Sequence, residues 1–275
     1  MGNCMCPKSE LPLIFMEAED PNKVKDIGVP LSFTRDTARE AKPMHVYENG
    51  SSYTGEWLNG QRSGEGVQVW TDGAKYEGQW ADDQANGRGR FVHADGDVYE
   101  GEWDSDKAHG RGTYYHADGS RYEGQWEYDR QSGEGVEEWS DGARFEGWYK
   151  EGRKHGQGKF YWADSSRYEG EFIDNDIHGH GIYTWSDGRQ FQGQWQKNRM
   201  HGSGRFTWMD GRVYEGEYQN DVKHGRGNFK WPDGREYDGE WKDGKQHGKG
   251  VSCTSKGEKR AGEWVDGKRV RYLDY

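Results

Sequence analysis

The chain has 275 residues, of which 31% are hydrophobic and 32% are charged, and its formal net charge is −11. This acidic balance disfavours a large nucleic-acid footprint, which requires a basic surface. No apolar run approaches the length of a membrane span, and three cysteines do not make a disulfide framework, which indicates a reduced, intracellular protein. Because aliphatic residues are scarce, a core must rely on aromatic residues, which bury a large area each.

The amino terminus carries the first recognisable element. Removal of the initiator Met would expose Gly2 for N-myristoylation, and Cys4 and Cys6 lie where S-palmitoylation commonly follows. One myristoyl chain gives marginal membrane binding and a second lipid makes it stable. The sequence therefore predicts a membrane anchor at Gly2, Cys4 and Cys6, although Cys6 stands where Ser or Thr is favoured. The alternative is an ordinary start with two incidental cysteines.

A leader follows over residues 1–43, which comprises the acylation signal and a mostly irregular stretch. Residues 11–16 form a short apolar patch that either caps the first hairpin or binds a partner. The remaining residues, 44–275, are predicted to form one repeat array.

An aromatic residue returns every 23 residues from position 53 onwards, without insertion or deletion. Nine copies begin in this way, at Tyr53, Tyr76, Tyr99, Tyr122, Phe145, Tyr168, Phe191, Tyr214 and Tyr237. A tenth copy begins in phase at Arg260, where the aromatic residue is lost. A fixed period of this length predicts a repeat array. Full copies extend from 53 to 259, and partial copies cap both ends.

Alternation within each copy predicts two strands. Numbered from the first aromatic residue, positions 1, 3 and 5 are aromatic, Gly and aromatic, with polar residues between them, as in residues 99–103. This is the pattern of a strand with a ring face and a polar face. Positions 12 to 18 alternate in the same sense and predict the second strand.

Turn-forming residues separate the strands. A two-residue loop at positions 7 and 8 would place position 3 opposite 12 and position 1 opposite 14. The Asp-Gly pair at positions 20 and 21 predicts a three-residue loop with Gly in the left-handed conformation, which keeps all rings on one face. The predicted fold is all-β: an elongated single-layer antiparallel meander of 23-residue β-hairpin repeats, twisted and curled into a groove.

The pattern Tyr-Glu-Gly-x-Trp, followed by Gly-x-Gly and Trp-x-Asp-Gly, resembles the MORN repeat (membrane occupation and recognition nexus) over most of the chain. The copy at 191–211 carries every element of it. The resemblance implies a sheet of hairpins and a scaffolding role in junctional membranes, ciliary radial-spoke heads or the apicomplexan cortex. Some plant lipid kinases carry such arrays, but no kinase domain follows here. The departures are Ser165 at the turn Gly, His93 and His116 in place of Trp, and the degraded last copy.

Two sets of repeated polar residues could in principle carry chemistry. Histidines share position 11, at His109, His155, His178, His201, His224 and His247. Equivalent residues in adjacent copies lie about 9–10 Å apart, whereas zinc holds its ligands within about 2.3 Å. Glutamates recur at position 2, at Glu77, Glu100, Glu123, Glu146, Glu169 and Glu215. They lie on the polar face, where no asymmetric pocket separates their pKa values. We expect no metal, no cofactor, no catalytic residue and no enzymatic activity.

The sequence predicts a non-enzymatic, membrane-anchored scaffold or adaptor of a cortical-cytoskeletal, ciliary or organelle-associated complex. The groove would bind a helix or extended peptide of a protein partner, through Trp162, Trp185, Trp195 and Trp208. We further expect a location at the cytoplasmic face of a membrane, no nucleic-acid partner, and homodimers through the array ends. Two alternatives stay open: a ciliary component of the radial-spoke-head type held without acylation, and a regulatory subunit of a lipid kinase.

Overall fold

The structure is a computed structural model that describes residues 38–274. This part of the chain forms 21 β-strands and no helix. The strands are β1 Glu40–Val46, β2 Ser52–Leu58, β3 Gln61–Val69, β4 Lys75–Ala81, β5 Gln84–Val92, β6 Val98–Asp104, β7 Lys107–Tyr115, β8 Arg121–Glu127, β9 Arg130–Glu138, β10 Arg144–Lys150, β11 Arg153–Tyr161, β12 Arg167–Ile173, β13 Asp176–Thr184, β14 Gln190–Gln196, β15 Arg199–Thr207, β16 Val213–Gln219, β17 Val222–Lys230, β18 Glu236–Lys242, β19 Lys245–Cys253, β20 Lys259–Val265 and β21 Lys268–Tyr272.

The described residues divide into two compact units. One unit comprises residues 38–140 with 149–152, and the other comprises 141–148 with 153–274. Within each unit, successive strands pair antiparallel with one another. The predicted fold class is therefore confirmed: the protein is all-β, an antiparallel meander of 23-residue hairpins.

The first turn of each copy is the predicted two-residue loop. In the copy that begins at Tyr168, Asp174 and Asn175 connect β12 to β13 with φ angles of 51° and 72°. Two successive positive φ angles define a type I′ turn, whose twist matches that of the flanking strands. Asp and Asn tolerate this conformation because their short polar side chains hydrogen-bond locally.

The predicted pairing within the hairpin is wrong by two residues. Position 3 pairs with position 14 and position 1 with position 16, as in Gly170 with Gly181 and Tyr168 with Tyr183. The cause is a bulge at positions 12 and 13, where Gly179 adopts a left-handed φ of 58°. The Glu171 side chain occupies the space that a Cβ on Gly179 would need, and its Oε1 accepts a hydrogen bond from the His180 N–H at 3.0 Å. Since the shift is two residues, the rings stay on one face.

The second turn also has the predicted form. The Trp185 N–H donates to the Arg189 carbonyl at 2.9 Å and closes a three-residue loop, within which Gly188 has a φ of 84°. In the preceding copy Ser165 replaces this Gly and still adopts a φ of 71°. The substitution at Ser165 therefore leaves the loop conformation unchanged.

From the copy that begins at Tyr76 onwards, the residue at position 8 joins each copy to the copy before it. Its side-chain oxygen accepts the backbone N–H of position 10 in the preceding copy, while its own N–H donates to the carbonyl of that residue. The Asp129 carboxylate, for example, accepts the Ala108 N–H at 2.8 Å. The same side-chain bond is made by Asp83, Asp106, Asn175, Asn198 and Asp221. Position 8 is Gly at 152, 244 and 267, where only the backbone bond is made.

The first and last strands belong to partial copies. Strand β1 corresponds to the second half of a copy, and its turn repeats the usual geometry, since the Tyr47 N–H donates to the Ser51 carbonyl at 2.9 Å. It begins at Glu40, four residues before the predicted start of the array. At the other end β20 and β21 form a hairpin whose second strand lacks the glycines of a full copy.

Candidate partner-binding site on the ring face

The rings at position 1 form the base of the ring face. Those of the unit 141–148/153–274 are at most 1% exposed. Each lies over the pair of glycines at positions 3 and 14 of its own hairpin, so that a Cβ on Gly170 would lie 2.5 Å from the Tyr168 hydroxyl oxygen. The Tyr168 hydroxyl also donates to the Glu171 carbonyl at 3.1 Å. The glycines are therefore required by close approach of a ring.

The rings at position 5 connect neighbouring copies. Trp195 packs edge-on against Phe191 of its own copy and Tyr168 of the preceding copy, with centroid distances of 5.1 Å and 5.7 Å. Its Nε1–H donates to the Gly181 carbonyl at 3.3 Å. Trp195 is only 3% exposed. It therefore supports the ring face from beneath and does not present a surface to a partner.

The rings at position 18 are open on one side. In the unit 141–148/153–274 these rings are the half-buried Trp162, Trp185, Trp208 and Trp231, and we call these four residues the Trp stripe. Trp70 and Trp139 hold the same repeat position in the other unit. Aromatic residues at position 16 connect them: Phe206 lies 5.1 Å from Trp185 and 4.3 Å from Trp208 between ring centroids. The stripe contains three of the four predicted groove residues and adds Trp231. Trp231 shares the repeat position of the other three, which is the sequence feature that identifies it.

Arginines at position 22 cover one edge of the stripe. The guanidinium of Arg212 lies over the Trp208 ring at 5.3 Å from its centroid, and its Nε pairs with the Asp210 carboxylate at 2.7 Å. The same arrangement recurs at Arg189 with Trp185 and at Arg235 with Trp231. These arginines are already neutralised by aspartates of their own turns, so they fix the tryptophan rings and add little net charge.

One cation of the ring face has no such partner. The Lys223 ammonium, at position 10, lies 4.6 Å from the centroid of Phe229 and 4.8 Å from that of Trp241. Burial, together with the positive charge of the nearby Arg212, lowers the pKa of Lys223 to about 8. Sequence reasoning missed this residue. Its signal is that position 10 faces the rings and holds a buried Ala, Ile or Met in several other copies.

The polar face has the predicted solvated character. Glu169, at position 2, is exposed and pairs with Lys159 at 3.1 Å. The side chain at position 4 instead has a structural role, since it accepts the N–H of the bulge residue at position 13 in several copies. Trp148 occupies position 4 in one copy and is 49% exposed on this face.

The described residues bring no three His, Cys, Asp or Glu side chains together as a metal site. The histidines at position 11 lie along the array, and the Nδ1 atoms of His201 and His224 are buried without a hydrogen-bond partner. In residues 38–274 there is also no helix with the length and apolarity needed to cross a membrane. The predicted acylation sites Gly2, Cys4 and Cys6 and the apolar patch at 11–16 lie outside the described residues.

Comparison with known families identifies the repeat. The model of the MORN repeat matches ten segments, at residues 53–75, 76–98, 99–121, 122–144, 145–167, 168–188, 191–211, 214–234, 237–258 and 261–272. The chain therefore belongs to the MORN-repeat family, a family of structural repeats, and no catalytic family matches it. No curated protein sequence matches the chain.

Solved structures give distant similarities. The TCP10 domain of CPAP from Danio rerio is 16% identical, with 76% of this chain and 99% of that chain covered and a TM-score of 0.41. The CPAP G-box domain is 15% identical over 74% of this chain and 100% of that chain, with a TM-score of 0.39. The SAS-4 TCP domain of Drosophila melanogaster is 13% identical over 76% and 96%, with a TM-score of 0.30. At these values the similarity supports no functional conclusion.

Proposed function

We propose that this MORN-repeat protein is a non-enzymatic scaffold that binds a segment of a protein partner along the Trp stripe. The observation that supports the proposal is the half-open row of four tryptophans, each fixed by a ring at position 16 and most by a stacked arginine. Large, immobilised aromatic side chains of this kind dominate binding energy at protein interfaces. The buried rings at positions 1 and 5 hold the stripe in place.

The spacing of the stripe restricts the conformation of the bound segment. Successive tryptophans are separated by two strands, which is about 9–10 Å. A polyproline II segment repeats every three residues, or about 9.3 Å, and places residues i and i+3 on one side. An α-helix presents residues i and i+7 at about 10.5 Å. Both conformations fit, and the extended segment matches the spacing more closely.

The membrane attachment belongs to the same proposal. Acyl chains on Gly2, Cys4 and Cys6 would hold the array at the cytoplasmic face of a membrane, in a cortical, ciliary or organelle-associated complex. Gly2→Ala is expected to release the protein to the soluble fraction, and the double change of Cys4 and Cys6 to Ser is expected to leave weak, exchanging binding. Full retention of the Gly2→Ala protein on membranes would contradict the anchor and favour attachment through protein contacts alone.

Partner capture with matched variants tests the stripe. Full-length protein, Trp185→Ala and Trp208→Ala would be used to capture partners, with Glu169→Ala on the polar face as the control. We expect each tryptophan variant to lose at least about tenfold in capture, since truncation of a hot-spot aromatic costs about 2 kcal/mol or more. Circular dichroism checks that each variant is folded. Loss of capture with Glu169→Ala, and retention with both tryptophan variants, would place the partner on the polar face. Lipid-kinase activity that co-purifies with the wild type would indicate a regulatory subunit.

A further inference from the structure

Lys223 is a basic residue at a repeat position that faces the rings. Position 10 holds a buried apolar residue, at most 6% exposed, in four copies, and Gln or a basic residue in the other copies. The apolar residues are Ala85, Ala108, Ile177 and Met200, and the others are Arg62, Gln131, Lys154, Lys223, Gln246 and Arg269. A lysine at this position brings a cation into an aromatic environment. Its half-buried side chain adjoins the Trp stripe, because its ammonium lies 5.4 Å from the Trp208 ring centroid.

Four rings surround the ammonium. Besides Trp208, they are Phe229 at 4.6 Å, Trp241 at 4.8 Å and Tyr214 at 5.4 Å from the Lys223 Nζ. No described residue forms an ion pair with it, and no acidic group contributes to its pKa, which burial lowers to about 8. The groups that approach the ammonium are therefore ring faces and the guanidinium of Arg212, and Asp210 neutralises that guanidinium. A partly desolvated cation without an anion gains strongly from one.

The first copy shows what a basic residue at position 10 binds when an acid is within reach. The Arg62 guanidinium lies over the Trp80 ring at 4.2 Å, as Lys223 lies over Trp241. Arg62 pairs in addition with the Asp83 carboxylate at 3.4 Å. The aromatic contact is therefore compatible with an ion pair, and at Lys223 the place of the carboxylate is left for a group from outside the described chain.

We propose that Lys223 is the receptor for a carboxylate of the protein segment that binds the Trp stripe, an Asp or Glu side chain flanked by apolar residues. This inference rests on the proposed function, since the stripe supplies the apolar contacts on either side of the ion pair. It gives the stripe a polarity and a register: the acidic residue of the partner lies at the level of Trp208, between the copies that begin at Tyr214 and Phe191.

Selection from a random twelve-residue peptide library displayed on phage tests the inference without a known partner. Peptides would be selected on immobilised full-length wild type and on Lys223→Met, which reproduces the residue that the preceding copy carries at Met200. Lys249→Met, a change of an exposed polar-face lysine, is the matched control. We expect Asp or Glu to be enriched at one fixed position on wild type and on Lys249→Met, and not on Lys223→Met.

The affinity of one selected peptide then isolates the ion pair. Replacing its acidic residue with the amide is expected to weaken binding at least tenfold on wild type and less than twofold on Lys223→Met. Urea unfolding checks that both lysine variants are folded. Peptides that require Trp208 but show no acidic preference, or the same amide effect on Lys223→Met, would overturn the inference and leave the stripe intact. Peptides that bind Trp208→Ala as tightly as wild type would overturn the proposed function and the inference together.

Discussion

Asp129 contributes a bond between copies and also makes the array sensitive to pH. Its carboxylate accepts the Ala108 N–H at 2.8 Å and is only 8% exposed. Burial, with a smaller contribution from the nearby Asp106, raises the pKa of Asp129 from its ordinary 3.8 to about 6, against the opposing effect of the Ala108 N–H and of Lys107. A folded-state pKa above the unfolded value means that the associated stability is present in acid and is lost as the pH rises through about 6.

Asp129→Asn is therefore expected to stabilise the protein at neutral pH. Asparagine keeps the acceptor for the Ala108 N–H, as Asn175 and Asn198 do in other copies, and it removes the buried charge. A shift of about two pKa units corresponds to about 3 kcal/mol. Because the site can relax, we expect a gain of about 1–3 kcal/mol at pH 7.5 that falls to a few tenths near pH 4.

Urea unfolding at the two pH values measures the difference in stability between Asp129→Asn and wild type. Hydrogen exchange of the Ala108 amide reports the same difference locally, which is needed because repeat arrays need not unfold in one step. Asn198→Asp is the reverse control. Its Nδ2 donates to Asp176 at 2.6 Å, so a second carboxylate there should destabilise the array at pH 7.5. Equal stability of Asp129→Asn and wild type at both pH values would refute the assignment of a costly buried carboxylate.

The contacts between and within copies predict two further substitutions. Gly152→Asn should stabilise the protein by about 1 kcal/mol in urea unfolding, because it adds the missing side-chain acceptor for the Gln131 N–H at a position with φ of 78° and open space. The same change at Gly60 should give no such gain, since Gly60 makes no bond to a preceding copy in the described residues. An equal gain at both positions would contradict this reason. Gly170→Val should destabilise by about 3 kcal/mol or more in the same assay, because its Cβ would lie 2.5 Å from the Gly181 Cα and the Tyr168 hydroxyl, and unchanged stability would exclude this close packing.

The sequence was sufficient to predict the elements that depend on neighbouring residues. The alternation of rings and glycines fixes which residues share a face, and the paired turn formers at Asp174 and Asn175 fix a type I′ loop. Because the rings of successive copies must stay on one face, the second loop must have an odd number of residues, and the structure shows a three-residue loop at Gly188. These features follow from local backbone preferences, which are the same in every copy.

The contacts that side chains make across a hairpin or with the next copy were not predictable in this way. At the bulge, the Glu171 carboxylate lies over Gly179, and a sequence pattern does not show which side chain reaches across a hairpin. Periodicity likewise places Trp195 and Trp185 on one face without showing that neighbouring rings bury the first and leave the second half-open. Lys223 was missed for the same reason, because its environment is made by rings from several strands.

Fluorine NMR of the full-length protein labelled with 5-fluorotryptophan tests most directly whether the Trp stripe is the binding surface. Tryptophan-to-phenylalanine variants would assign the signals, and a segment of a captured partner would be titrated into the protein. We predict shifts at Trp162, Trp185, Trp208 and Trp231, with much smaller changes at the exposed polar-face Trp148. Shifts at Trp148 with an unchanged stripe would contradict the account, because the partner would then bind the opposite face of the sheet.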